Sequence, residues 1–409
     1  MANSILGVVG LGKLGLPLAA TLGNAGHTVM AVDQNKDLID RLNQNTFDFI
    51  EPSLNKYLEN SASRITYTTD FACLESAEVV YLIVPTPSDA NGFFLNDHLL
   101  SAISQIGKVW KTVEDLRTLV IVSTVMPGST RSTLLPCLEE ASGKKIGQNL
   151  QILYSPEFIA IGSVILDLHY PDLLLIGGTH VDSIEKHISI MKSINLSESI
   201  VRVLNLEEAE LVKILINNYI TTKITFANHI AELTDLIPGT DPAIIAEAIG
   251  NDSRIGNKYL RPGLGFGGPC FPRDTRALKA FASQFGLSSE ISHAVEVMNS
   301  RQPAATAKRI LDLHPEIRAF GIYGLAYKAG SSLTEESQAV MLAAEFLNYG
   351  LTVSAYDPLI QSSSDIPLNG LKYSSNLEDL KDAGLLICTQ PVLPEHEVIL
   401  RTIPKIYVS

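Results

Sequence analysis

Cysteine is scarce in this chain: four in 409 residues, Cys73, Cys137, Cys270 and Cys388, with no CxxC pair and no partnering histidine cluster. Such spacing indicates neither a disulfide framework nor a zinc site. Basic residues are outnumbered, 31 Lys and Arg against 44 Asp and Glu, for a formal charge of -13. That balance argues against nucleic acid or an anionic membrane as the main partner. Charged residues are only 18% of the chain and hydrophobic ones 46%, the composition of large buried cores rather than of disorder. No apolar run is long enough to span a bilayer. The opening MANSILGVVGLG has no basic stretch ahead of a cleavable apolar core, so a soluble, cytoplasmic protein is expected. At this length one ordinary core is not enough, and two or three domains are expected.

What is present begins with glycine. Ile5 to Val9 reads as a short buried strand, and Gly10, Gly12 and Gly15 then form GxGxxG at the mouth of a helix running to about Ala25. A second strand, Thr28 to Val32, ends at Asp33, 18 residues past the last glycine. Glycines there permit a tight turn and close approach of a pyrophosphate to the helix N-terminus, and the acid can accept from ribose hydroxyls. A carboxylate would repel a 2′-phosphate, which favours NAD over NADP. Apolar runs at Val79 to Val84, Leu119 to Val122, Ile152 to Tyr154, Leu173 to Ile176 and Ile200 to Leu204 alternate with helical stretches, the pattern of a parallel sheet covered on both faces. Three loops after these strands, VPTPSD (Val84 to Asp89), STVMPGS (Ser123 to Ser129) and SPEF (Ser155 to Phe158), should converge at the C-terminal strand ends, where ligands of such sheets bind.

Leu206 to Ile237 contains neither Pro nor Gly and carries apolar residues at helical spacing, predicting a long helix that joins two domains. Lys213 and Asn217 would share one of its faces. Further helices are expected at Asp241 to Ile249, Thr275 to Gln284 and Glu290 to Leu313. Between them lies GFGGPCFPRD, Gly265 to Asp274, a single thiol flanked by three glycines and two prolines. Glycine allows a ligand to approach the backbone and proline stiffens the segment, so Cys270 reads as a candidate nucleophile. From Ala319 the strand-helix alternation returns, with strands at Phe320 to Tyr323, Thr352 to Tyr356 and Leu385 to Cys388 and a helix at Ser337 to Asn348. This second Rossmann-like domain lacks a GxGxxG and should bind something other than a dinucleotide. The fold expected is α/β: two Rossmann-like domains with parallel sheets, 1–204 and 315–409, joined by a long central helix and a helical middle domain, 205–314.

Taken in order, GVVGLGKLGLPLA, the TP of Thr86 and Pro87, STV, SPEF, AELVKILINN, DSRIGNKYLRPGLGFGGPCFPRD and YDP resemble the UDP-glucose/GDP-mannose dehydrogenase family over nearly the whole length. The resemblance implies NAD-dependent, four-electron oxidation of a nucleotide sugar, its C6 alcohol becoming a carboxylate. Cys270 would add to the intermediate aldehyde as a thiohemiacetal that is oxidised to a thioester and hydrolysed. Lys213 and Asn217 would stabilise the oxyanion; Glu157, Asp274 and Thr124 would position water and move protons, and which of them is the base in each step is open. The cofactor would contact Gly10, Gly12, Lys13, Leu14, Gly15, Asp33, Thr86, Pro87 and Thr124. The sugar nucleotide would contact Phe158, Lys213, Asn217, Arg254, Tyr259, Gly267 and Lys328, with Arg254 reaching across a homodimer interface. Phe271 and Arg273 look most like the UDP-glucose branch; UDP-N-acetylhexosamines and GDP-mannose are the alternative substrates, and a catalytically weak NAD- and nucleotide-binding regulatory protein is the alternative function. The chain departs from the family at Pro269, Ile161 and His229, and at Glu335, where an acid stands in place of a cofactor-binding arginine and is expected to weaken binding.

Overall fold

The computed structural model describes residues 3–46 and 51–408. The chain forms two compact units, Met1–Ile214 and Leu215–Ser409. The first runs β1 (Ile5–Val9), α1 (Gly15–Asn24), β2 (Thr28–Val32), α2 (Lys36–Asn43), α3 (Leu54–Ser61), β3 (Ile65–Thr68), β4 (Val79–Leu82) and α4 (Asp97–Trp110). It continues with β5 (Arg117–Ile121), α5 (Leu135–Ser142), β6 (Leu150–Tyr154), α6 (Val164–His169), β7 (Leu173–Gly177), α7 (Val181–Ile194) and β8 (Ile200–Leu204). The eight strands lie in the order β3-β2-β1-β4-β5-β6-β7-β8.

Successive strand residues enter opposite cores. Val8, Val79 and Tyr81 pack under α1 and α7, while Val9, Val80 and Leu82 pack with Trp110 of α4. That two-sided burial is why these strands read as continuous apolar runs. Two details differ from the sequence-based expectation. β3 was not anticipated: its ITYT is a partly exposed edge strand, with no apolar run to mark it. The sheet is also not wholly parallel, because β6 meets β7 antiparallel through Tyr154 and Gly177, and β7 and β8 run together in that reversed sense.

Helix α8 (Leu206–Thr234) starts in the first unit and ends in the second. It stops three residues short of the anticipated Ile237, since Pro238 disfavours helical geometry at the residue before it. In the second unit follow α9 (Pro242–Gly250), α10 (Phe271–Gln284), α11 (Glu290–Leu313), β9 (Ala319–Tyr323), α12 (Gln338–Asn348) and β10 (Thr352–Tyr356). The chain closes with β11 (Lys372–Tyr373), β12 (Leu385–Cys388), α13 (Pro394–Leu400) and β13 (Lys405–Tyr407). Their sheet, β11-β10-β9-β12-β13, is parallel throughout and repeats the strand order of the first five of unit one. β11 and β13, too short to give an apolar pattern, were not foreseen. The α10 start matters most: it lies four residues before the anticipated Thr275. Pro272 sits in the first turn, where its missing N–H costs nothing, so the proline-rich stretch is a helix entrance rather than a stiffened loop.

Candidate active site

In the first unit the glycine turn follows β1. Gly10 has a φ of +94° and a Cβ there would lie 2.0 Å from the Ile83 carbonyl oxygen, while one at Gly15 would lie 1.8 Å from the Gly10 oxygen. These two are demanded by the fold. Gly12 is different, since a Cβ there would meet no protein atom within 4 Å. Neither a steric clash nor a positive φ in the protein demands glycine there. Asp33, at the end of β2, accepts from Leu11 N–H with Oδ2 (2.7 Å) and from Asn35 N–H with Oδ1 (2.8 Å). It thus holds the glycine turn, and a carboxylate has lone pairs left for a further donor. Lys13 is exposed and Leu14 half-buried ahead of α1.

The loops after β4 and β5 meet, and the loop after β6 meets α8. Ser123 Oγ accepts from Val84 N–H (2.9 Å) and donates to Val84 O (2.7 Å), and Thr86 Oγ1 donates to Thr124 O (2.7 Å). Thr86 is buried, Thr124 half-buried and Pro87 exposed. Lys213 of α8 donates to the Glu157 carbonyl (2.7 Å) and stands 4.7 Å from the centre of the Phe158 ring. The half-buried Glu157 carboxyl is pushed up to about 7 by desolvation, with the Lys213 charge pulling the other way. Burial, and secondarily the Glu157 charge, also raises the Tyr81 phenol. Glu210, on the same helix as Lys213, is fully buried and accepts from Gly128 N–H (2.5 Å) and Thr130 N–H (2.8 Å). It fastens the loop after β5 to α8. This residue was missed, although it lies inside the AELVKILINN stretch.

In the second unit Cys270 is exposed and occupies the N-cap of α10. Negative charge developing on its sulfur faces the positive end of the helix dipole. Its carbonyl accepts from Asp274 N–H (2.8 Å). Asp274 is 1% exposed, and its Oδ2 accepts from Asn217 Nδ2 at 2.6 Å while its carbonyl accepts from Asn218 Nδ2 at 3.1 Å. Arg273 Nε lies 3.4 Å from the other carboxylate oxygen. Asn217 and Asp274 are therefore one hydrogen-bonded pair. Asn218 is a second α8 anchor that sequence reasoning left out.

The glycines of the cysteine segment have another partner than the one expected. A Cβ on Gly267 would lie 2.2 Å from Glu336 O, and one on Gly268 would lie 2.5 Å from the Tyr327 ring. They make room for residues 327–336 of the same chain. Gly268 N–H donates to Glu335 O (2.9 Å), and the Glu336 carboxylate takes Arg276 at 2.5 and 3.2 Å. The acidic stretch around Glu335 is thus docked on the cysteine helix and balanced by Arg276. Arg254 is exposed and paired with Asp252 (2.6 Å), and Tyr259, half-exposed at 50% with a φ of +64°, stands on the same loop. Lys328 is half-buried just after β9. Asp357, at the end of β10, mirrors Asp33. Its Oδ2 accepts from Leu325 and Ala326 N–H (2.7 and 2.9 Å) and its Oδ1 from Leu359 N–H (2.9 Å), which leaves it buried and engaged by its own chain.

Three models of one family match in succession. They are the UDP-glucose/GDP-mannose dehydrogenase NAD-binding domain at residues 4–195, the central domain at 207–301 and the UDP-binding domain at 321–392. The chain belongs to this family. The UDP-glucose 6-dehydrogenase of Haloferax volcanii is 31% identical over 91% of this chain and 88% of its own. The GDP-mannose 6-dehydrogenase of Pseudomonas putida is likewise 31% identical, over 87% and 81%. Among solved structures, the UDP-glucose dehydrogenase of Pyrobaculum islandicum superposes with a TM-score of 0.88 at 28% identity, covering 100% of this chain and 94% of that one. The family's NAD-binding domain is present and these enzymes use NAD; the open face at Gly12 and the remaining acceptor capacity of Asp33 fit it. The dehydrogenases of this family act on nucleotide sugars, and the UDP-binding domain match takes in β10, β11, β12 and most of β9 of the second sheet. Among the described residues no helix is long and apolar enough to cross a membrane, and no group of His, Cys, Asp or Glu could hold a metal ion.

Proposed function

We propose that the chain oxidises UDP-glucose to UDP-glucuronate in a four-electron reaction. The observation that carries this reading is Cys270, exposed at the start of α10 with Asp274 one turn behind it and hydrogen-bonded to Asn217. NAD, when bound, accepts one hydride in each of the two oxidations. The chain's own residues would do the rest. The Cys270 thiolate adds to the aldehyde carbon, forming the C–S bond while the carbonyl oxygen takes the negative charge. Lys213 and Asn217 stabilise that oxyanion by charge and by an amide donor. After the second oxidation the thioester is attacked by water, the C–S bond breaks, and the thiolate is restored. Glu157, with its carboxyl near neutrality, is suited to take a proton from that water, with Asp274 and Thr124 orienting it. Gly10, Gly12, Lys13, Leu14, Gly15, Asp33, Thr86, Pro87 and Thr124 hold the cofactor; Phe158, Lys213, Asn217, Arg254, Tyr259, Gly267 and Lys328 contact the sugar nucleotide.

Support for UDP-glucose comes from Phe271 and Arg273 after the thiol and from the 0.88 superposition on a UDP-glucose dehydrogenase. GDP-mannose is the second reading, since relatives with that activity are equally identical. We take the protein to be cytoplasmic and its working form to be a homodimer; the dimer is supported by α8, which exposes Leu215, Tyr219, Phe226 and Leu233 at spacings of one and two helical turns. The test is NADH formed per sugar at limiting UDP-glucose, GDP-mannose and UDP-N-acetylglucosamine. About two NADH per UDP-glucose are expected, and no UDP-glucuronate from Cys270→Ser, which cannot form the thiohemiacetal and thioester but should still bind NAD. A higher kcat/KM with GDP-mannose would transfer the assignment to that substrate.

A further inference from the structure

Beneath the SPEF loop lies a buried polar chain that none of the assigned chemistry uses. Tyr81 on β4, His187 on α7 and Ser155 after β6 are 1%, 1% and 2% exposed. Ser155 Oγ lies 2.9 Å from Leu175 O, His187 Nε2 lies 2.9 Å from Ser155 Oγ, and Tyr81 Oη lies 3.1 Å from His187 Nδ1. One group sets the direction of the whole chain. The Leu175 carbonyl can only accept, so the Ser155 hydroxyl donates to it, and Ser155 Oγ must then receive its bond from His187 Nε2–H. Nδ1 is left as the acceptor for the Tyr81 hydroxyl. Every polar hydrogen is used, and the imidazole is held neutral in one tautomer.

The place where this chain ends is what gives it a consequence. β6 is supported by β5 along five residue pairs but meets β7 at only one. The Ser155 side-chain bond to Leu175 O supplies the missing tie across that junction, where the sheet reverses direction. Two residues on, Glu157 offers its carbonyl to Lys213 and Phe158 lies beside the same ammonium. We propose that His187 is a positioning residue for the reaction: through Ser155 it holds residues 155–158 against Lys213 of α8. It touches no reactant. The inference rests on the functional reading above for the roles of Glu157 and Lys213.

The test uses the full-length protein and three variants: His187→Leu, which keeps bulk and removes both ring nitrogens; His187→Gln, whose amide can donate in place of Nε2–H; and Ser155→Ala. His187→Leu and Ser155→Ala are expected to lower kcat tenfold or more with the KM for NAD within about threefold, and to speed amide hydrogen exchange at Glu157 and Phe158. His187→Gln should recover most of kcat. Combining His187→Leu with Ser155→Ala should be no worse than Ser155→Ala alone, as for two groups acting through one bond. A histidine that merely supports the core would lower the melting temperature and leave kcat of the folded variant unchanged, and that result overturns the proposal. So does unaltered exchange at Glu157 and Phe158 in Ser155→Ala, the deciding variant if His187→Leu does not fold. Hydrogen exchange does not depend on turnover, so a wild-type protein inactive on every nucleotide sugar would sink the functional reading and leave this one to be judged separately.

Discussion

Three glycines of one motif answer to two different constraints, and substitution should separate them. Alanine at Gly10 or Gly15 forces a Cβ to within about 2 Å of a carbonyl oxygen, so loss of folding, read as insoluble protein or a sharply lowered melting temperature, is expected. Gly12→Ala should fold and melt as wild type, because its Cβ meets nothing in the protein, and should weaken NAD at least tenfold in a binding titration. Equal NAD affinity would remove Gly12 from the cofactor site. At Glu157 the sign of the pH effect follows from the direction of its shift. The folded carboxyl holds its proton up to about 7 whereas the ordinary value is 4.5, so the native state binds more protons between those values and stability falls as pH rises through them. Glu157→Gln should therefore melt higher than wild type above pH 7, with the gap closing as pH falls toward 4.5. A gap that is constant with pH would mean the carboxyl is not desolvated.

Helices α8 and α10 carry most of the candidate catalytic residues, and each is placed by polar contacts at its flank rather than by apolar packing alone. Glu210 accepts two backbone N–H groups of the loop after β5 while fully buried. Glu210→Ala would orphan both donors in a dry site and is expected to cost about 2–3 kcal/mol in chemical denaturation, with Glu210→Gln milder because one amide oxygen still accepts. A loss below about 0.5 kcal/mol would mean water replaces the carboxylate. For α10 the acceptor set is Asp274, which ties Cys270 at the helix start to Asn217 and Asn218 of α8. Neither tie follows from helix periodicity. Pattern reading recovers the helices because their apolar faces recur; it misses Glu210 and Asn218 because a buried polar residue looks, in one dimension, like an exposed one.

For the molecule as a whole, the exposed residues Tyr219 (68%) and Phe226 (52%) on α8 are the features a monomer has least use for. Phe226→Glu is expected to shift the protein from dimer to monomer by sedimentation or light scattering, and to lower activity if Arg254 serves the partner's substrate. An unchanged mass would relocate the interface. The net charge of -13 should keep either form soluble.

The order of strands and helices, the two Rossmann-like sheets and the NAD fingerprint were legible because burial on both faces writes itself as apolar runs, and because glycine at Gly10 and Gly15 answers a local steric demand. Cys270 stands out in the sequence as well, since an unusual run of Gly and Pro surrounds it. What only the tertiary structure decided is what those residues touch. The glycines at 267 and 268 make room for Tyr327 and Glu336, distant in sequence; Cys270 begins a helix that its prolines had disguised as a loop; β7 reverses against β6. The Tyr81, His187 and Ser155 chain crosses more than a hundred residues. Sequence patterns report how each side chain divides between water and protein, a local property. Hydrogen-bond partners are chosen by three-dimensional neighbourhood, and no periodicity in the chain encodes them.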